Sequence, residues 1–205
     1  MIGGFDGTNA MSSVLYSKLN SDGTTGTWYC QGAVTATGCG AGSSPINGNG
    51  LTTAVVAPSV VVSNGFIYVM GGCTDNTATC GTATNLTYYA KLQADGSTGA
   101  WTATSTLATA RGMGTAMFEN GSIIYLGGRG AGAALSSVEK SVISSTGTLG
   151  AFSATGMTAI TAARQEHTSA IADGYIYVIG GSDGAASAAR QKTVYYSKLN
   201  SDGTN

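Results

Sequence analysis

His167 is the only histidine in this 205-residue chain, and two of its neighbours could serve a hydrolytic site. Ser169 could act as a nucleophile and Glu166 as the carboxylate of a Ser-His-acid arrangement, in which the imidazole accepts the hydroxyl proton. Such a triad needs side chains that converge from separate elements, whereas these three residues share one short segment. We therefore predict a structural role for His167 and no catalytic residue in the chain.

The four cysteines are spaced so that each has one near partner along the chain. Eight residues lie between Cys30 and Cys39, and six lie between Cys73 and Cys80. This spacing favours two local disulfides, Cys30–Cys39 and Cys73–Cys80, and hence an oxidising, extracellular or cell-surface location. A tetrahedral metal site is the alternative, but it would require tighter Cys-x-x-Cys spacing. We predict no metal ligand among them.

Four charged residues follow glycine doublets at comparable positions: Asp6, Asp75, Arg129 and Asp183. If the doublets end equivalent strands, these side chains belong to equivalent loops at one rim, where they could bind a protein or carbohydrate ligand. Carboxylates there could also bind calcium or sugar hydroxyls. The alternative is that aspartate simply forms the turn. We predict no cofactor, with calcium at these loops as the one candidate.

Two further motifs have simpler structural interpretations. Residues 127–132 have the glycine content of a phosphate-binding loop, but no helix follows to direct amides at an anion. Asn85 and Asn120 match the glycosylation acceptor pattern, a match that is frequent by chance. Asn120 also precedes a glycine in a hairpin-type turn, which accounts for it.

The composition predicts a compact all-β protein. Charged residues make up 9% of the chain and the net charge is −1, which argues against nucleic-acid binding. Hydrophobic residues make up 42%, too many for a disordered chain. No apolar run approaches the roughly 18 residues of a membrane helix, so no membrane insertion is expected. The 32 glycines instead suggest many tight turns.

The clearest signal is an internal repeat that ends in a glycine doublet. Residues 63–72, 119–128 and 172–181 each contain an Asn-Gly or Asp-Gly pair, a five-residue strand-like run and Gly-Gly, and residues 2–4 are the tail of a fourth copy. Asn-Gly and Asp-Gly before such a run predict a two-residue hairpin with positive φ at both positions. The doublets are Gly71-Gly72, Gly127-Gly128 and Gly180-Gly181.

Two more segments recur in register with the doublets. Residues 14–28 match residues 87–101, and each segment ends in a tryptophan, Trp28 or Trp101, that we expect to anchor the next strand. A degenerate version spans 138–152, and another begins at Val194. Before the glycine strand, Arg111 and Arg164 occupy one register position, and we expect them to reach backbone carbonyls or a neighbouring unit. Each unit therefore predicts about four short antiparallel strands and no helix.

This pattern resembles the Kelch repeat of β-propellers, here of the bacterial Kelch-like type, whose period is roughly 50 residues. The resemblance implies an all-β propeller of four-stranded antiparallel blades. We place about four units in one domain, 1–205, at approximately 1–50 (partial), 51–106, 107–159 and 160–205 (partial). The third unit departs from the family by having Lys140 at the tyrosine position and Phe152 at the tryptophan position.

The resemblance also raises the question of ring closure. Related propellers usually close with six or seven blades, and only about four are present here. Residues 2–24 and 179–204 repeat the same part of the unit, so they cannot complete each other as one closing blade. We expect either a segment of a longer propeller or chains that close a ring together, with self-association through open blade edges.

Both cysteine pairs fall in loop insertions that lengthen the repeat, and loops on a rigid scaffold often carry binding. The leading functional prediction is a non-catalytic, extracellular or cell-surface module that binds protein or carbohydrate through its blade loops. One alternative is a structural protein that builds rings or fibres from partial propellers. Another is a fragment of a Kelch-type secreted oxidase or glycan-active enzyme, although a single histidine argues against a copper ligand cluster here.

Overall fold

The computed structural model describes residues 1–33, 39, 48–76, 79–184 and 190–205. These residues form strands, turns and isolated bridges, and every strand pair is antiparallel. The all-β prediction is therefore confirmed. No helical segment in the described part of the chain is long and apolar enough to cross a membrane.

The strands follow the predicted repeat in chain order. They are β1 (Val14–Leu19), β2 (Thr25–Gln31), β3 (Ser59–Ser63), β4 (Phe66–Met70), β5 (Thr87–Lys91), β6 (Thr102–Ala103), β7 (Thr115–Glu119), β8 (Ser122–Leu126), β9 (Arg129–Gly130), β10 (Ala133–Ala134), β11 (Val138–Val142), β12 (Thr168–Ala172), β13 (Tyr175–Ile179) and β14 (Val194–Lys198).

These strands form four blades of different completeness. Blade 1 contains β1 and β2, and blade 2 is the four-stranded sheet β3-β4-β5-β6. Blade 3 contains β7, β8 and β11, and blade 4 contains β12, β13 and β14. The outermost strand varies in length: it has seven residues in blade 1 (β2) and two in blade 2 (β6), and a single bridge between Lys140 and Ser153 replaces it in blade 3.

The hairpin between the first and second strands of a blade has the predicted geometry. Asn64, Asn120 and Asp173 have φ angles of 51°, 48° and 50°, and the glycine after each also has a positive φ. Two consecutive residues with positive φ define the turn that matches the twist of the flanking strands. The register of β3–β4, β7–β8 and β12–β13 is therefore fixed by local sequence.

The hydrophobic core lies between blades rather than within them. Tyr68 and Met70 of blade 2 pack with Ile123 and Tyr125 of blade 3, and all four side chains are buried. A second cluster joins blades 3 and 4, and a third joins blade 2 to the connection that follows blade 1. Each blade is thus stabilised by its neighbours, as in other repeat proteins.

The antiparallel order gives the assembly two distinct ends. The upper rim contains the segments before each first strand and the hairpins after each glycine doublet; its described residues are 5–10, 54–58, 73–76, 79–83, 111–114, 129–134, 164–167 and 182–184. The lower rim contains the hairpin turns and the turns 20–24, 93–97, 144–148 and 200–204. The first strands β3, β7 and β12 lie side by side at the inner edge of the blades.

Candidate binding surface

Both predicted disulfides are present, and both lie at the upper rim. Cys30 pairs across the sheet with Leu15 near the top of β2 and bonds to Cys39. Cys73 follows the doublet of blade 2, bridges to Val56 and bonds to Cys80. The cysteine side chains are buried, so each disulfide anchors the base of a loop. Residues 34–38 and 40–47 of the first insertion lie outside the described residues.

A ring of left-handed residues, which we call the collar, lies at the top of the inner strands. Ala57, Met113 and Glu166 each stand two residues before a first strand, with φ angles of 47°, 56° and 54°. The Met113 amide donates to the Ala57 carbonyl at 3.1 Å, and the Glu166 amide donates to the Met113 carbonyl at 2.8 Å. These bonds connect three blades through main-chain atoms alone, and they explain a conformation that non-glycine residues rarely adopt.

The recurring arginines act inside their own blades, as predicted for structural residues. Arg111 is fully buried and donates to the carbonyl oxygens of Gly127 and Ser137, and its guanidinium forms a salt bridge with Glu139. Arg164 has a different partner at the matching position: its guanidinium lies 5.1 Å from the ring centroid of Tyr195 and donates to the Tyr195 hydroxyl. Neither arginine presents its guanidinium to a ligand.

His167 and its neighbours do not form a catalytic triad. The Nε2 atom of His167 lies 2.9 Å from the Thr115 hydroxyl, and Ser169 donates its own hydrogen bond to that same hydroxyl at 2.8 Å. Nδ1, which a triad carboxylate would orient, is buried without a hydrogen-bond partner among the described residues. Burial, and then the charge of Arg164, lower the pKa of His167 to about 4, so the ring is neutral near pH 7.

The four rim residues hydrogen-bond to nearby rim segments. Asp6 accepts the amides of Thr8 and Asn9, and these bonds, with that of Asn9 the larger, lower the pKa of its carboxyl. Oδ2 of Asp75 accepts the Gly81 amide at 2.8 Å. These bonds give the aspartates the turn-forming role that was the alternative prediction.

The other two rim residues make side-chain contacts. Asp183 accepts a hydrogen bond from Gln191 at 2.9 Å, and Arg129 donates to Gln165 at 3.1 Å. No group of three or more His, Cys, Asp or Glu side chains that could hold a metal ion occurs in the described ranges. Calcium binding at this rim therefore remains a prediction without a ligand cluster in that part of the chain.

Neighbouring rim segments contact one another, so the upper rim forms one continuous surface. The Ala10 amide of blade 1 donates to the Asn76 side chain of blade 2 at 2.9 Å. Gly112, in the segment leading into blade 3, packs against the buried Cys73–Cys80 disulfide, which leaves no room for a side chain there. The Arg129–Gln165 hydrogen bond then joins blades 3 and 4.

The remaining predicted residues have structural surroundings. Trp101 donates its indole N–H to the Asn49 carbonyl at 3.1 Å, whereas Trp28 is 56% exposed and lacks the anchoring role that we predicted for it. The face of blade 1 that carries Trp28, equivalent to the face of blade 2 that carries Trp101, is not covered by another blade in the described structure. Asn85 donates to the Leu107 carbonyl, and Asn120 occupies a hairpin turn.

Sequence reasoning missed Glu139 and the collar. Glu139 is the one acidic residue at a strand position that Tyr88 and Tyr195 fill in the neighbouring blades, and it appears in the same repeat as a buried arginine. That coincidence was the available signal. The residue types of Ala57, Met113 and Glu166 do not indicate a shared backbone conformation. The collar depends on main-chain amides and carbonyls, which nearly every residue carries.

Comparison with known proteins supports the repeat assignment. Residues 163–196 match the Kelch motif. The structure of YjhT superimposes with a TM-score of 0.55 over 82% of this chain and 48% of YjhT, at 14% sequence identity. This chain therefore spans about half the length of YjhT. No curated protein sequence matches the chain.

Proposed function

We propose that this chain, a β-propeller with a Kelch motif at residues 163–196, is a non-catalytic binding module that engages a protein or carbohydrate through its upper rim. We place it outside the cell or on the cell surface. The two buried disulfides support this location, since such bonds persist in oxidising compartments.

The observation that carries the proposal is the contrast between the two rims. At the lower rim, Asp22, Asp95 and Asp202 make the same pair of hydrogen bonds, each to the amide and hydroxyl two residues later. At the upper rim, the hairpins differ in sequence, those of blades 2 and 4 are longer than those of blades 1 and 3, and both disulfide-bonded insertions are there. Variable loops on a constant scaffold are where binding specificity normally resides.

The chemistry of the rim favours a largely uncharged ligand. The chain has a net charge of −1, and four of the rim charges, those of Asp6, Asp75, Arg129 and Asp183, already make hydrogen bonds to protein groups. Recognition would therefore rest on hydroxyl and main-chain hydrogen bonds and on shape, rather than on long-range attraction. Such a surface suits a neutral glycan or an uncharged patch on a folded protein.

The test is a loop exchange within the chain itself. Residues 73–83 of blade 2 are replaced by residues 129–134 of blade 3, which also span an upper-rim hairpin. The parent and the exchanged protein are screened against an array of neutral oligosaccharides and a display library of secreted protein domains. We expect at least one probe whose affinity falls about tenfold or more on exchange.

The matched control changes only the lower rim. Asn120→Asp converts one hairpin turn into the Asp-Gly form that blade 4 already uses, so the fold should be retained. Binding should be unchanged in this variant. Binding that responds to Asn120→Asp but not to the loop exchange would contradict the assignment of the upper rim, as would the absence of any bound probe.

The described ranges contain neither an assembled triad nor a group of metal-binding side chains. No specific observation favours an oxidase or a glycan-active enzyme over a binding module.

A further inference from the structure

Three asparagines in the described part of the chain precede a glycine, and they lie in two kinds of surroundings. Asn64 and Asn120 occupy the hairpin turns of blades 2 and 3, whereas Asn49 lies in the connection between blades 1 and 2. An asparagine before glycine is open to attack by the next main-chain nitrogen, because glycine has no Cβ to shield that atom. The surroundings of each pair then decide whether the attack can occur.

The two hairpin pairs are free of protein partners. Asn64 and Asn120 are exposed, and a Cβ placed on Gly65 or Gly121 would meet nothing within 4 Å. In the part of the chain that the structure describes, neither asparagine side chain forms a hydrogen bond, and neither glycine amide donates one. The side-chain amide and the nitrogen that follows it are therefore both available for reaction.

Asn49 also precedes a glycine, but protein groups hold it in place. Its side-chain amide donates to the Thr98 carbonyl at 3.3 Å, and its main-chain carbonyl accepts the indole N–H of Trp101 at 3.1 Å. A Cβ placed on Gly50 would lie 2.9 Å from the Cα atom of Gly32, so other chain segments pack against this glycine. Attack at Asn49 requires this packed segment to open first.

We propose that Asn64 and Asn120 are sites of spontaneous deamidation and that the fold protects Asn49. The glycine nitrogen attacks Cγ of the asparagine, the new N–Cγ bond closes a cyclic imide, and the Cγ–Nδ2 bond breaks. Ammonia leaves and carries away the proton of the glycine amide. Water then opens the imide: addition at Cγ gives aspartate, and addition at the main-chain carbonyl gives isoaspartate. Water is the only other reactant, and the inference does not depend on the proposed ligand-binding rim.

Blade 4 already has aspartate, one of the two products, at the equivalent position. Asp173 precedes Gly174 in its hairpin and has a φ angle of 50°. The φ angles of Asn64 and Asn120 are 51° and 48°, so aspartate fits this turn without a change of backbone. Either product is ionised at pH 7 and adds one negative charge at the lower rim of a chain whose net charge is −1.

Isoaspartate would disturb more than the turn itself. Its chain runs through Cβ and Cγ, which adds a main-chain atom to a two-residue turn that fixes the strand register. The carbonyl of Gly65 accepts the Leu92 amide at 2.8 Å. In blade 3 the carbonyl of Gly121 accepts the Ile143 amide at 2.9 Å. A displaced glycine would weaken these bonds to the segment after the third strand, so the isoaspartate form should be the less stable product.

The test follows each asparagine by peptide mass spectrometry while the full chain is kept folded in mildly alkaline buffer. Replacement of the amide by a carboxyl raises the peptide mass by one unit, and chromatography separates the aspartate and isoaspartate forms. Fragment spectra distinguish Asn49 from Asn47, which lies outside the described residues. We expect Asn64 and Asn120 to convert at least about tenfold faster than Asn49, because only Asn49 needs packed structure to open.

The same chain in concentrated urea, with its disulfides intact, is the first control. Unfolding removes the contacts of Asn49, so all three sites should then convert at similar rates. The second control is Asn120→Asp, which should abolish the mass change at that site and leave the rate at Asn64 unchanged. A folded chain in which Asn49 converts as fast as Asn120 would overturn the inference. An intact Asn64 or Asn120 in the folded chain, at a time when the unfolded chain has converted completely, would overturn it as well.

Discussion

Two positions that meet inside each blade are filled by three different residue pairs. Blade 2 has Val55 with Tyr88 in one apolar cluster, blade 3 has Arg111 with Glu139, and blade 4 has Arg164 against the ring of Tyr195. Burial removes the water that hydrates the guanidinium group of an arginine. A carboxylate or the face of an aromatic ring must then interact with the charge instead. The position of Arg111 in the repeat predicts that it binds backbone carbonyls. The repeat does not predict Glu139 as its partner, because these residues are 28 positions apart and meet only through the register of β8 and β11.

The pair in blade 3 should be replaceable as a unit. Glu139→Ala leaves the Arg111 charge buried without its partner and should lower the free energy of unfolding by about 3 to 5 kcal/mol. The double variant Arg111→Val and Glu139→Tyr copies the pair of blade 2 and should recover most of that loss. Urea unfolding of the single and double variants measures both values. A double variant less stable than Glu139→Ala would show that the two positions are not an independent unit.

His167 should make stability depend on pH in a defined window. Its pKa is about 4 in the folded chain and 6.5 in the reference state, so the unfolded chain binds a proton first as the pH falls. Stability is therefore fully present above pH 6.5 and declines toward pH 4, by up to about 3 kcal/mol. Urea unfolding at several pH values should show this slope, and His167→Gln should flatten it. An equal slope in both proteins would assign the effect to other groups.

At the scale of elements, local sequence predicts the hairpins well and the rim poorly. Asn64-Gly65 and its equivalents fix a turn type through two residues, so the prediction needed no tertiary information. The hairpin β9–β10 has two residues in each strand and no alternating pattern, so nothing local marks it. Neighbouring segments flank it on both sides: Gly112 bridges to Arg129, and Arg164 bridges to Leu135, the residue after β10.

A substitution at Gly127 would test how closely the end of β8 approaches blade 4. Gly127 has a φ of +52°, and a Cβ there would lie 2.6 Å from the Arg164 carbonyl oxygen. Gly132 also has a positive φ but open space around it. Gly132→Ala should therefore cost about 1 kcal/mol from backbone strain alone, whereas Gly127→Ala should cost about 3 kcal/mol. Thermal unfolding of the two variants compares them, and equal losses would mean that only the backbone angle matters.

For the whole molecule, stability is shared between neighbouring blades. The repeat and its propeller arrangement could be predicted because each unit carries the same turn and glycine signals. Which faces remain uncovered could not, because Tyr68 and Tyr177 have the same residue type and register and differ only in what lies against them. The number of contacts to adjacent blades, rather than residue type, sets the burial of equivalent positions.

Hydrogen exchange should reveal this unequal sharing. Amides of β4 and β8, each between two neighbours, should exchange slowest, and those of β1 and β14 fastest. Mass spectrometry of proteolytic fragments after timed deuteration provides the measurement. Uniform protection across all four blades would indicate one global unfolding unit instead.

The collar has an evolutionary consequence. Its hydrogen bonds use the amides and carbonyls of Ala57, Met113 and Glu166, so a small, a flexible apolar and an acidic residue already occupy equivalent sites without altering the joint. Mutations there can change the side chains at the top of the inner strands while leaving these main-chain hydrogen bonds in place. Diversification of this protein can therefore proceed at a joint between its blades, a place where most domains tolerate little change.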